Sequence, residues 1–210
     1  MTLRIHHRLP FSRANGPGAR AVIWVQGCSL ACAGCFNPET HESDRGKLTS
    51  VASLCEWIAD LGQTIQGVTI SGGEPLQQLE PVTHLVRRIK METKHSVVLF
   101  TGFTWAEIAR MGTGEPLSEK SSAGFSEVGR PTHGHNFVRL EILHYLDVLI
   151  AGRYDRTKRV ARGLRGSENK SLHFLSSRYN LSDLESVPEA EVLVSPAGGL
   201  IMSGIDPLRW

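Results

Sequence analysis

Three of the chain's four cysteines fall within eight consecutive positions, Cys28-Ser29-Leu30-Ala31-Cys32-Ala33-Gly34-Cys35. Thiolates at C-x3-C-x2-C spacing suit a metal centre that keeps one position open. A cubane iron–sulfur cluster has four irons, so three cysteine ligands leave one iron free for a substrate or cofactor. The small residues Ser29, Ala31, Ala33 and Gly34 let the backbone lie against such a cluster and aim N–H groups at its sulfurs. Two plainer chemistries compete. A structural zinc site completes a four-ligand set, and the remaining cysteine, Cys55, lies in a helical pattern among apolar residues. A redox dithiol uses Cys32 and Cys35 but leaves Cys28 idle.

Downstream stands Ser71-Gly72-Gly73-Glu74-Pro75. Together with the cysteine motif it resembles the radical S-adenosylmethionine (SAM) superfamily. More narrowly, the chain is similar to the activating enzymes of glycyl-radical enzymes, above all that of anaerobic ribonucleotide reductase. The resemblance is carried in family order by Asn15-Gly16-Pro17-Gly18-Ala19-Arg20, Val25-Gln26-Gly27-Cys28, Cys35-Phe36-Asn37-Pro38-Glu39-Thr40, Gly72-Gly73-Glu74-Pro75-Leu76, Phe100-Thr101-Gly102, Asp147-Val148-Leu149-Ile150 and Arg165-Gly166-Ser167-Glu168-Asn169.

It implies a [4Fe-4S] cluster on Cys28, Cys32 and Cys35, with SAM on the open iron. Reductive cleavage of SAM then yields a 5′-deoxyadenosyl radical, which takes a hydrogen atom from a glycine Cα of a large partner enzyme. The cofactors carry this chemistry, and the protein positions them and excludes water. Ser71, Gly72 and Gly73 allow close backbone approach, and Glu74 can accept hydrogen bonds from the SAM ammonium. Thr101 and Gly102 stand at a similar place, where a contact to the ribose or adenine and an ordinary turn are both open readings. Phe36 packs over the cluster or adenine, or else into the core. Arg165, Ser167 and Asn169 form a polar group within reach of SAM or the partner. Reduced flavodoxin or ferredoxin is the implied electron donor. Ala151 and Lys170 depart from the family pattern, which often has an acidic residue and a glutamine there. Two other functions remain as alternatives: a radical SAM enzyme acting on a small molecule or another peptide, and an iron–sulfur electron carrier.

With 210 residues, 40% apolar and 21% charged, the chain is expected to be one domain, residues 1–210, with an ordinary core. The net charge of +2 gives no case for nucleic acid. No apolar run is long enough to span a membrane, and residues 1–10 lack a signal-peptide core. Clustered rather than spaced cysteines argue for a reducing compartment, so the expected location is the cytoplasm.

The elements that must position these residues follow from periodicity. Residues 1–20 read as an extended lead-in ending in a Gly/Pro turn. Apolar β-branched runs at 21–25, 67–70, 97–100 and 146–150 read as buried strands. Helical spacing appears at 51–61, capped by Thr49 or Ser50, at 76–92, at 104–110 behind Thr104, and at 137–144. Cys55 reads as a small core residue. Residues 37–47 and 151–170 read as loops, and 191–195 with 200–202 as a terminal hairpin. Residues 112–135, rich in Gly, Ser and charge, read as a flexible insertion or lid, where His133 and His135 read as solvated. Alternating strands and helices imply an α/β fold with parallel strands. The resemblance sharpens this to an incomplete, open parallel β/α barrel with the cluster at its carboxyl edge.

Overall fold

The structure is a computed structural model that describes residues 1–111, 140–194 and 198–205. The expected insertion at 112–135 lies outside the described residues, as do His133, His135 and Ser195. Eleven strands are present among the described residues: β1 Thr2–Ser12, β2 Arg20–Val25, β3 Lys47–Ser50, β4 Gly67–Gly72, β5 Ser96–Thr101, β6 Val148–Ala151, β7 Arg159–Arg162, β8 Arg165–Ser167, β9 Ser171–Phe174, β10 Ala190–Val194 and β11 Leu200–Gly204. The helices are α1 Val51–Leu61, α2 Leu79–Glu92, α3 Trp105–Met111 and α4 Leu181–Glu185.

Seven strands form one open sheet in the order β3-β1-β2-β4-β5-β6-β9. Its centre, β2-β4-β5-β6, is parallel, as the alternation of strands and helices requires. The flanks are antiparallel: β1 pairs with both β2 and β3, and β9 pairs with β6. The sheet is therefore α/β but less uniformly parallel than expected. Residues 1–20 are not a mere lead-in, because Leu3, Ile5 and Leu9 turn inward and make β1 a full member of the sheet. Periodicity is weak there, since His6, His7 and Arg8 interrupt the apolar alternation and the pairing with β2 shifts register beside them.

Alternation sorts the parallel strands' side chains onto two faces. Ile23, Ile70, Leu99 and Leu149 point into the main core, where they meet Leu54, Ile58, Leu85 and Ile89 of α1 and α2. Cys55 belongs to that core. Val98, Val148 and Ile150 face the other way, into a smaller cluster with Leu164 and Leu184. Ser50 caps α1, its hydroxyl accepting from Ser53 N at 3.0 Å. Thr104 and Glu107 exchange hydrogen bonds at the start of α3. The helix expected from residue 76 begins as a 3-10 turn, Pro75–Gln78, before α2. Around 137–144 the described part is a 3-10 turn, Glu141–Tyr145. The loop-like stretch 151–170 holds the β7–β8 hairpin. The terminal hairpin, β10–β11, is present and forms a sheet of its own.

The sheet's amino edge is locked by Arg20, which is fully buried. Its guanidinium donates to Thr69 Oγ1 at 2.7 Å, Ser96 Oγ at 2.9 Å, Val68 O at 2.7 Å, Pro17 O at 3.1 Å and Ser96 O at 3.2 Å. Burial lowers its pKa to about 10 against the support of Tyr179 and Asp147. Asp147 performs a similar task between β5 and β6: its carboxylate takes bonds from Lys90, Ser176 and Val97 N. Arg20→Met is expected to lower unfolding stability by roughly 3 kcal/mol or more, because several buried acceptors lose a charged donor and a cavity opens. Urea denaturation measures this. A loss below about 1 kcal/mol would mean that solvent replaces the guanidinium without penalty.

Candidate iron–sulfur and cofactor site

The cysteine loop leaves the carboxyl end of β2 and is held from both sides. On one side Gly27 N donates to Thr40 O at 2.7 Å and Cys28 N to His41 O at 3.0 Å, so the returning chain pairs with the loop's root. Gln26, almost fully buried, reinforces that return through Glu39 O and Glu42 O. On the other side Gln77 clasps Ser29, accepting from its N–H at 3.1 Å and donating to its hydroxyl at 2.5 Å. Gln78 joins Arg4 of β1 to Gln26 O. Neither glutamine stands out in the sequence. Their signal is only their position behind Glu74-Pro75, in a turn that presents consecutive side chains to different strands.

Within the loop, Ala31 and Gly34 have positive φ, 47° and 73°. Cys35 N donates to Cys32 O at 3.1 Å, and Asn37 N reaches Cys35 Sγ at 3.4 Å. Burial pushes the Cys28 and Cys35 thiols up, opposed by backbone N–H bonds from Leu30 and Asn37. Among the described residues no three His, Cys, Asp or Glu side chains converge as ligands of a single metal ion.

The three cysteines open into a cavity of about 430 Å3. Phe36, Ser71, Gly72, Gly73, Glu74, Thr101 and Gly102 all line it, so the structure brings together the cysteine loop and both strand-end turns. Arg165, Ser167 and Asn169 are not among its lining residues. Ser167 is buried and accepts from Asp155 N at 3.2 Å, and Asn169 donates to Arg153 O at 2.9 Å. Arg165 keeps a buried Nε without a hydrogen-bond partner among the described residues. Trp24, His7, Tyr154 and Lys170 also line the cavity. His7 lies on β1, whose broken apolar alternation conceals the strand, and Lys170, marked in the sequence only as a departure from the family pattern, reaches the cavity between β8 and β9.

Glu74 is fully buried. Its Oε1 accepts from Leu76 N at 2.9 Å and Thr101 Oγ1 at 2.7 Å, and its Oε2 accepts from Gly102 N at 2.7 Å. Its backbone N–H donates to Gly27 O at 2.9 Å. One residue thus joins the ends of β2, β4 and β5. Burial pushes its pKa up, while those three bonds and Lys170 pull it down. Among the described residues no ion pair neutralises it, so the cavity holds a buried carboxylate with capacity for one more donor. Lys170 adds a cation to the same cavity. Its Nζ donates to Gly152 O at 2.5 Å, and burial lowers its pKa. Thr101 and Gly102, expected near ribose or adenine, spend an O–H and an N–H on Glu74.

Gly73 has a structural task alongside any ligand contact. A Cβ there would lie 2.3 Å from Gly27 O, a backbone atom that cannot step aside. At Gly102 a Cβ would meet the flexible end of Leu30, also at 2.3 Å.

Residues 14–173 match the family model described as a 4Fe-4S single cluster domain. The chain is therefore of the 4Fe-4S single cluster class. Two relatives refine this. The anaerobic ribonucleoside-triphosphate reductase-activating protein of Enterobacteria phage T4 is 30% identical over 167 residues, covering 78% of this chain and 88% of that one. The protein of the same name from Vibrio cholerae is 30% identical over 179 residues, covering 81% and 97%. Among solved structures, QueE from Escherichia coli has a TM-score of 0.41 and 24% identity over 50% of this chain and 54% of that chain. The chain belongs to the family of anaerobic ribonucleoside-triphosphate reductase-activating proteins.

The two glycines separate local packing from ligand approach. Gly73→Ala is expected to lower the unfolding midpoint more than Gly102→Ala, because only the first drives a Cβ into backbone. Strain of this kind costs about 1–3 kcal/mol. Thermal unfolding of both variants decides the matter, and a reversed order would remove the packing role assigned to Gly73.

Proposed function

We propose that this chain binds SAM beside a [4Fe-4S] cluster and installs a glycyl radical on an anaerobic ribonucleotide reductase. The observation that carries the reading is the shared cavity: three cysteines of one loop face the Gly72-Gly73-Glu74 turn across a space of about 430 Å3. The name of the relatives supplies the partner. Cys28, Cys32 and Cys35 would hold the cluster, and their count leaves one iron without a protein ligand.

When bound, the reduced cluster and SAM supply a 5′-deoxyadenosyl radical, which takes hydrogen from the partner's glycine Cα. The protein's own residues do the positioning. Glu74 presents a buried carboxylate with no ion-pair partner among the described residues, the group that an ammonium would meet with a charge-assisted bond. Thr101 and Gly102 hold that carboxylate in place, and Ser71 to Gly73 offer a side-chain-poor strand end for close approach. Lys170 brings positive charge to the same space. Phe36, packed on Tyr154 with ring centroids 4.4 Å apart, walls the cavity beside Cys35 and keeps water from it. Arg165, Ser167 and Asn169 stand outside the lining: Ser167 is fully buried and holds Asp155 N, while exposed Asn169 and half-buried Arg165 are the ones within reach of a docked partner or the rim.

The remaining features belong to the same reading. The chain is one domain whose sheet is an open, partial β/α barrel with the cluster at its carboxyl edge. It works without oxygen, in the cytoplasm, fed by reduced flavodoxin or ferredoxin, and touches neither nucleic acid nor membrane. No described helix is long and apolar enough to cross a membrane.

Anaerobically reconstituted protein is expected to cleave SAM to 5′-deoxyadenosine under a strong chemical reductant. Ala at Cys28, Cys32 or Cys35 should each abolish this, and Cys55→Ala should retain it. An active Cys32→Ala variant would overturn the ligand set. With the cognate reductase present, electron paramagnetic resonance should show a glycyl radical whose hyperfine splitting changes when the glycine is deuterated. SAM cleavage without any such radical would favour a small-molecule or peptide substrate.

A further inference from the structure

Charge is unevenly placed along this chain. Its formal balance is +2 overall, yet residues 153–170 alone reach +5: Arg153, Arg156, Lys158, Arg159, Arg162, Arg165 and Lys170 stand against Asp155 and Glu168. The rest of the chain is thus −3. Folding lays this segment along the cysteine loop. Arg156 Cδ lies 3.2 Å from where a Cβ on Gly34 would be, and Gly34 stands between Cys32 and Cys35. The Arg159 guanidinium is 5.1 Å from the ring centroid of Phe36, the residue after Cys35. Arg156, Lys158 and Arg162 are exposed. Arg162 pairs with Glu185 at the surface, where such pairs hold a side chain only weakly.

Two further features bear on what docks there. Ala31, Ala33 and Gly34, at the loop's crest, are small and exposed, so nothing bulky separates the loop from an approaching surface. The exposed basic residues do not line the cavity. A partner that delivers a glycine must enter the cavity. A partner that delivers an electron need only come close to the outside of the loop.

We propose that the basic face of residues 156–162, against the outer side of the cysteine loop, docks a small acidic one-electron carrier protein that reduces the cluster. This rests on the function proposed above. One electron leaves the carrier's reduced centre and enters the cluster. The carrier is oxidised by one electron, and no bond or proton changes hands. Weak, charge-steered complexes of this sort gain chiefly in association rate, and they lose that gain as salt shortens the Debye length from about 30 Å at 0.01 M to about 8 Å at 0.15 M.

The test uses the full chain with its cluster reconstituted, as wild type, Lys158→Glu and Lys158→Glu/Arg162→Glu. Reduced flavodoxin is the acidic probe and photoreduced deazaflavin the small uncharged one. Cluster reduction is followed by loss of its visible absorbance. At low salt the double variant is expected to be reduced by flavodoxin roughly tenfold more slowly or worse, with the single variant between. The gap should close at high salt, while deazaflavin reduces all three proteins at one rate. Equal flavodoxin rates at low salt would overturn the proposal. So would unchanged flavodoxin rates with weakened binding of the reductase, which would assign this face to the reductase. Because the readout is the cluster itself, failure of the deazaflavin-reduced wild type to cleave SAM would strike the proposed function and leave the docking result standing.

Discussion

A buried carboxylate with no ion-pair partner among the described residues governs this site. Removing Glu74 from water is costly, and its three internal hydrogen bonds, with the nearby Lys170 cation, make that tolerable. Those bonds come from the turn after β4 and from the end of β5, while the Glu74 N–H holds the root of the cysteine loop. Satisfying one charge therefore fixes three strand ends relative to one another. The same carboxylate shares the cavity with the Lys170 cation, so both signs of charge line one space.

The opposite edge of the sheet carries the opposite sign. Arg20 sits fully buried between β2, β4 and β5 and binds acceptors on each side. Central parallel strands are thus pinned by a cation at their amino ends and an anion at their carboxyl ends. Main-chain pairing alone sets their register, but it does not stop the strand ends from splaying. The amino-edge lock uses strong, fully satisfied bonds. The carboxyl-edge lock leaves capacity for a ligand, which is where a site has to be.

The parallel strands, α1, the terminal hairpin and the place of both motifs were legible because apolar periodicity and turn residues record them locally. Cys55 as a core residue was legible for the same reason, since Leu54 and Ile58 share its helix face. What escaped was written in long-range pairing. Strand β1 hides behind His6, His7 and Arg8, and its inward residues gain meaning only beside β2 and β3. Strand β9 and the β7–β8 hairpin lie in basic sequence whose strands are three or four residues long. Glu74 was legible as a ligand group from its motif, but its work as a strut depends on Thr101 and Gly102, more than twenty residues away. Gln77 and Gln78 carry no composition signal at all.

Those two glutamines have a mechanical consequence. They share a single turn with Glu74, and between them they hold Ser29 of the cysteine loop, Arg4 of β1 and Gln26 after β2. The cysteine loop and the glycine turn therefore form one stiff jaw, unable to part without breaking several bonds together. The other jaw is built differently. The β7–β8 and β10–β11 hairpins are separate two-stranded sheets, and β10–β11 is fastened to the main body by side-chain bonds from Ser12 and Asn15 and the Arg13 N–H. The cavity thus has one wall of strand ends tied to one another and another of hairpins that lie outside the main sheet.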